Sequence, residues 1–216
     1  MPKVKNIFIA FALTLIPTQA FASICDQIID KKYFKICFSY KFGGPLFVKY
    51  QLDGKKVNSI NIKKRPRFYE ETQLPRKYRT KYSNYTRNKF KADRGHLAPD
   101  ASFDWSADSL NATYSMANII PQYKWINRKT WIKAENRERE LAQIYKKVTV
   151  LNGVVYDKNL GTIGRSKQRI PSAFWKEISW RGGKECYYYI NKKITKREYQ
   201  MDRLEQHKAD CSSLYH

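Results

Sequence analysis

Hydrophobic and polar positions alternate most cleanly early in the chain. Phe34, Ile36, Phe38 and Tyr40 are interleaved with Lys35, Cys37, Ser39 and Lys41, a period of two that predicts a strand with one face on a core. Gly43-Gly44-Pro45 turns the chain, and Leu46 to Leu52 predicts a second strand. Asp53-Gly54 then makes a hairpin turn into a third strand from Val57 to Ile62, so the three form an antiparallel meander. Later, the Val-rich run Lys146 to Tyr156 predicts a buried strand. Ile170 to Trp180 and Cys186 to Ile190 predict two more, joined by the turn Arg181-Gly182-Gly183-Lys184. Between these groups the period changes. From a start near Tyr123 to Asn127, the residues Asn127, Trp131, Ala134, Leu141 and Tyr145 fall on one side at about 100° per residue, which predicts a helix. Thr195 to His207 predicts a second, short amphipathic helix. Strands at both ends with helices set apart from them give the α+β class, with a mixed or antiparallel sheet as core. With no repeat, low-complexity tract or composition break, residues 23–216 read as one domain.

Three stretches add something that periodicity does not. Lys3 and Lys5 precede an apolar run from Ile7 to Ile16, and Ala20-Phe21-Ala22 supplies a small-x-small cleavage site. Residues 1–22 therefore read as a secretory signal, with a run too short to anchor the chain in a bilayer. The four cysteines, Cys25, Cys37, Cys186 and Cys211, suit two disulfides in an exported protein, periplasmic or secreted. Three pairings exist, and locality favours Cys25–Cys37 with Cys186–Cys211. Lys55 to Lys91 holds thirteen Lys and Arg against the two acids Glu70 and Glu71, with Tyr69, Tyr78, Tyr82 and Tyr85 among them. Pro66 and Pro75 interrupt it, so an irregular but anchored loop region is expected.

Charge bears on partners more than on fold. The 42 Lys and Arg exceed the 19 Asp and Glu by 23, and nucleic acid is the commonest polyanion to match such a surplus. A basic stretch interleaved with tyrosines can pair with phosphates and stack on bases or sugars.

The chemistry-bearing residues cluster between Asp93 and Arg139. His96 lies in Asp93-Arg94-Gly95-His96, and the other two histidines, His207 and His216, lie in the C-terminal tail. A cage of several histidines around a metal is thereby excluded, whereas a single imidazole that takes a proton from water is not. Asn127 sits at the edge of an apolar helix face, a costly place for an amide unless its carbonyl oxygen serves a hard cation. Glu135 lies about 80° around and about 12 Å along a straight helix from Asn127, too far to share the cation's inner shell. It can instead hold water in the hydration shell of Mg2+, an ion that gives up its waters reluctantly. By spacing alone, an ion pair with Arg139 suits Glu135 equally well.

Taken together, Asp93-Arg94-Gly95-His96, Asn118-Ile119-Ile120-Pro121-Gln122, and Asn127 with Trp131, Glu135 and Arg139 resemble the DNA/RNA non-specific endonuclease family of ββα-metal (His-Me finger) nucleases. The resemblance runs from about Phe68 to Tyr156. It implies a ββα-metal finger and a sugar-non-specific endonuclease that cuts DNA and RNA to 5′-phosphates with Mg2+, or Mn2+ in its place. Within it His96 is the general base, Asn127 the metal ligand and Glu135 the group that orients water. Arg94 and Arg139 surround the phosphate, and Asn118 positions its neighbours. An upstream phosphate-binding arginine is either Arg65 or Arg67. Lys129 stands where a glycine is often found. A non-catalytic, exported nucleic-acid-binding protein would show the same charge but has no need of His96 and Asn127 at this spacing.

Overall fold

The computed structural model describes residues 24–86 and 88–215, so the signal read in residues 1–22 lies outside the described part. Among the described residues, ten strands, three α-helices and several 3-10 turns follow one another. Strands β1 (Gln27–Asp30), β2 (Phe34–Ser39) and β3 (Gly44–Asp53) open the chain, and β4 (Asp93–His96) and β5 (Ile119–Gln122) flank helix α1 (Ala107–Thr113). Helix α2 (Trp131–Tyr145) leads into β6 (Lys147–Val155), and β7 (Thr162–Ile163) and β8 (Gln168–Arg169) form a small ribbon. The chain closes with β9 (Ala173–Trp180), β10 (Gly183–Ile190) and α3 (Lys196–Met201).

Six strands make one antiparallel sheet in the order β1-β2-β3-β6-β9-β10. Its inner face follows from the period-two pattern. Ile36, Val48, Tyr50, Val150, Phe174 and Ile178 are buried there against Trp131, Ala134, Leu141 and Ala142 of α2. On the other face, Leu151, Trp175 and Cys186 pack with Leu214, held by the Cys186–Cys211 disulfide. Cys25–Cys37 ties the N-terminal segment to β2. Both pairs are those that locality favours.

Several expectations are corrected. Val57 to Ile62 forms no strand: Val57 is buried, but Asn58 to Asn61 are exposed. Asp53 already pairs with Lys147 of β6, and the Gly54 N–H bonds to the Lys146 carbonyl, so β3 has no edge left to offer. The first strand, β1, gave no alternating signal, because only Ile29 of its four residues is buried. The C-terminal helix stops at Met201, and a separate 3-10 turn covers Leu204–His207. Residues 55–86 and 88–91 are irregular as expected, with two short 3-10 turns. They are anchored from below: buried Glu71 accepts hydrogen bonds from Lys31 at 2.7 Å and Ser115 at 2.7 Å.

Candidate active site

Strands β4 and β5 pair so that Gly95 lies opposite Ile120 and His96 opposite Ile119. Gly95 is required by proximity: a Cβ there would come within 2.1 Å of Gln122 Oε1. Arg94 and His96, two residues apart, project to the same side of the strand. Just beyond them Asn118, fully buried, clamps the chain. Its Oδ1 accepts from the Ala98 N–H at 2.9 Å, and its Nδ2 donates to the carbonyls of Ala98 at 3.0 Å and Thr113 at 2.9 Å. Asn118 thus fixes the backbone just beyond His96.

The His96 ring packs against Phe68 and Tyr114, with centroids 5.4 and 5.1 Å away. Its Nε2 is covered and has no hydrogen-bond partner. Burial pushes the imidazole pKa down to about 4; Asp100 opposes that shift, and the cations Arg65 and Arg94 reinforce it. Neutral imidazole is therefore the form present at neutral pH. The Arg94 guanidinium lies over the Tyr82 ring at 4.3 Å and the Phe68 ring at 5.3 Å. Of the two upstream arginines, Arg65 is the one tied to the site. Its Nε is 3.3 Å from Asp100 Oδ2, and both its terminal nitrogens donate to Asp104 at 3.2 Å. Arg67 is exposed and joins no ion pair among the described residues.

Asn127 reaches β4 through Asp93. Its Nδ2 donates to Asp93 Oδ2 at 3.3 Å, and Arg128 holds the same carboxylate with two bonds of 2.6 and 2.9 Å. With the amide nitrogen committed, the Asn127 carbonyl oxygen is the end left free: no described residue donates to it. That donor set fits a hard cation, which takes amide oxygens and leaves amide nitrogens. The backbone here differs from the expected plain helix. Residues Ile126–Thr130 form a π-turn, in which the Trp131 N–H bonds to the Ile126 carbonyl five residues back. One inserted residue removes about 100° of rotation, so Asn127 and Glu135 come within about 20° of one another around the axis instead of about 80°. Lys129 sits exposed in that turn, its Nζ 5.9 Å from the Tyr199 ring. No left-handed backbone is required of it, so the missing glycine costs nothing locally.

Glu135 and Arg139 form no ion pair with each other among the described residues. Arg139 instead donates to Ser102 at 3.4 Å and to the Asn136 side chain. Burial raises the Glu135 pKa to about 7; Lys176 and Arg139 pull it down, while Glu138 and Asp100 push it up. Asp100 acts on both His96 and Glu135, and Tyr114 donates to it at 2.8 Å. The two groups therefore share a carboxylate that the sequence pattern did not single out.

A buried network supports these residues from beneath. Glu138 and Lys176 form an ion pair with both side chains at 0% exposure. Glu138 accepts hydrogen bonds from the Tyr50 hydroxyl at 2.8 Å and the Ser102 hydroxyl at 2.7 Å. Asn152 Nδ2 bridges the Tyr50 hydroxyl and the carbonyl of Leu97, next to His96. A signal for this pair existed. Glu138 falls on the Trp131–Ala134 stripe of α2, and Lys176 alternates with Phe174 and Ile178 on the inner face of β9. Opposite charges set in two apolar stripes have to meet.

Several known nucleases resemble this chain in sequence. Human mitochondrial endonuclease G is 26% identical over 140 residues, 65% of this chain and 46% of its own length. A nuclease of Serratia marcescens is 40% identical over 93 residues, 41% of this chain and 34% of its own. A nuclease of Nostoc sp. is 28% identical over 154 residues, 71% of this chain and 54% of its own. The match thus spans only about half or less of these relatives. A chain from a crystal structure of an EndoG/EndoGI complex shares the fold, with a TM-score of 0.78 over 93% of this chain and 89% of that one, at 20% identity. Residues 14–211 match the DNA/RNA non-specific endonuclease family, and the chain belongs to that family.

Proposed function

We propose that this protein is an exported endonuclease that hydrolyses DNA and RNA with one Mg2+ and a histidine general base, residues 23–216 acting as one nuclease domain. The observation that carries the reading is the committed nitrogen and free oxygen of Asn127, reached from the same short strand that bears His96, whose pKa is lowered and whose Nε2 has no hydrogen-bond partner.

Asn127 Oδ1 would hold the Mg2+, which when bound supplies positive charge to the oxygens of the phosphodiester. His96 does the proton chemistry. With Nε2 covered, the other nitrogen, Nδ1, is the one to take a proton from water as the oxygen attacks phosphorus. The bond from phosphorus to the 3′ oxygen breaks, which leaves a 5′-phosphate. Glu135, partly protonated near neutrality, keeps water oriented and can pass a proton to the departing oxygen. Arg65, Arg94 and Arg139 offset the charge that builds on the phosphate. Arg67 is exposed enough to meet a more distant phosphate. Asn118 acts through the backbone it clamps.

Export rests on the N-terminal pattern and on two disulfides, which persist in oxidising compartments. No helix among the described residues is long and apolar enough to cross a membrane. The EndoG of the solved complex is bound by an inhibitor, and a protein inhibitor is a reasonable partner here too.

Purified protein incubated with plasmid DNA and with RNA, with Mg2+ and then with EDTA, tests the reading. Nicking and degradation that stop with EDTA are expected. Binding without cleavage in Mg2+ would instead establish a non-catalytic binder.

A further inference from the structure

Beside the candidate active site, and apart from its catalytic candidates, lies a trough of about 940 Å3. One wall is formed by residues within 76–86 and 88–90; the other is the turn from Thr162 to Ser166. Arg76, Lys77, Arg79, Lys81, Lys89 and Arg165 line it, and among the described residues no acid does. Of these cations only Lys81 has a carboxylate partner among the described residues, Glu70 at 3.2 Å. Arg79 is held in place by the neutral carbonyls of Leu74 and Thr72, at 2.7 and 2.8 Å, so its charge stays uncompensated.

The trough is built rather than incidental. Ser166 joins the walls by hydrogen bonds to Thr80 at 3.2 Å and Asn84 at 2.9 Å. Gly164 has a φ of +65°, and a Cβ there would lie 2.1 Å from Asn84 Cγ, so the turn approaches as closely as a glycine permits. Phe90 offers an aromatic ring among the lining residues. The wall is also continuous with the site: Tyr82, between the lining residues Lys81 and Ser83, is the ring on which Arg94 stacks.

We propose that this trough is a separate subsite for the outlying phosphates of a nucleic-acid strand whose scissile phosphate sits at His96. The inference rests on the nuclease reading and adds a length preference to it. Cations on two facing walls, most of them without a carboxylate partner, suit a repeating anion, and each phosphate neutralised adds a salt-dependent increment to affinity. A ring among them suits a stacked base. Short substrates reach the catalytic residues but not the trough, so they lose affinity without losing chemistry.

The test compares the parent protein with Lys77→Glu/Arg165→Glu, one exposed residue from each wall. Substrates are bis(p-nitrophenyl) phosphate, a dinucleotide, and a long single strand. Cleavage is measured in Mg2+, and binding of the long strand by fluorescence anisotropy in EDTA. The variant is expected to bind the long strand about 10-fold more weakly or worse, with a shallower salt dependence. Its turnover of the two short substrates is expected to match the parent. Methylphosphonates at the outlying positions of the long strand should weaken the parent to the variant's level. Equal binding of the long strand by parent and variant would overturn the subsite. So would an equal loss on all three substrates, which would mean that the substitutions disturb the catalytic residues. If neither protein cleaves anything, the nuclease reading fails, while the anisotropy comparison still decides whether the trough holds phosphates.

Discussion

Replacing Glu138 by Gln removes one charge from a fully buried pair and keeps the side chain's shape. The carboxylate currently faces three donors: the Lys176 ammonium, the Tyr50 hydroxyl and the Ser102 hydroxyl. An amide supplies only one acceptor atom and turns two N–H donors toward that ring of donors. Lys176, at 0% exposure, is then left as a buried charge without a counter-charge, a loss worth about 3–5 kcal/mol. A domain of this kind is stable by roughly 5–15 kcal/mol, so the single change consumes a large part of the total. Glu138→Leu with Lys176→Met removes both charges. It should cost no more than about 1–3 kcal/mol, mainly through the hydrogen bond that Tyr50 loses. Urea unfolding of the parent, Glu138→Gln, the single variants Glu138→Leu and Lys176→Met, and their double variant, in EDTA at neutral pH with equal m-values, measures the coupling. A Glu138→Gln loss below about 1 kcal/mol, or a double variant that simply adds the two single losses, would refute the reasoning.

The other predictions concern the site itself. Asp93→Ala frees the Asn127 amide to turn and should weaken Mg2+ binding about 10–100-fold by calorimetric titration; unchanged affinity would remove Asn127 as the ligand. Glu135 has a folded pKa of about 7, above its unfolded value. Its contribution to stability is therefore full below about pH 4.5 and is lost as pH rises through about 7. Glu135→Gln in EDTA should gain on the parent across that window by up to about 3 kcal/mol in urea melts, and a constant offset would contradict the shift. Gly95→Ala drives a Cβ into Gln122 and should cost about 1–3 kcal/mol. Adding Gln122→Ala should restore most of that in a thermal melt, and no rescue would place the strain elsewhere.

The strands that could be read from the sequence are those whose pairing leaves one face on the core, as in β2, β3, β6 and β9. Val57 to Ile62 had enough apolar residues, but a strand also needs an open edge, and β6 had taken it. Within the site, His96 and Asn127 stood out because a polar group next to glycine or on an apolar face invites a reason. Asp93 and Asp100 did not, since their roles depend on where Arg128, Asn127 and Tyr114 arrive from other parts of the chain. The π-turn was hidden for a different reason. A count at 3.6 residues per turn has no place for an inserted residue, and Glu135 was therefore expected on another face than Asn127.

His96→Ala tests the central claim most directly. The account predicts that purified His96→Ala binds a long DNA strand as tightly as the parent in EDTA. In single-turnover cleavage with Mg2+ it should be slower by about 100-fold or more. Cleavage at the parental rate would contradict the account.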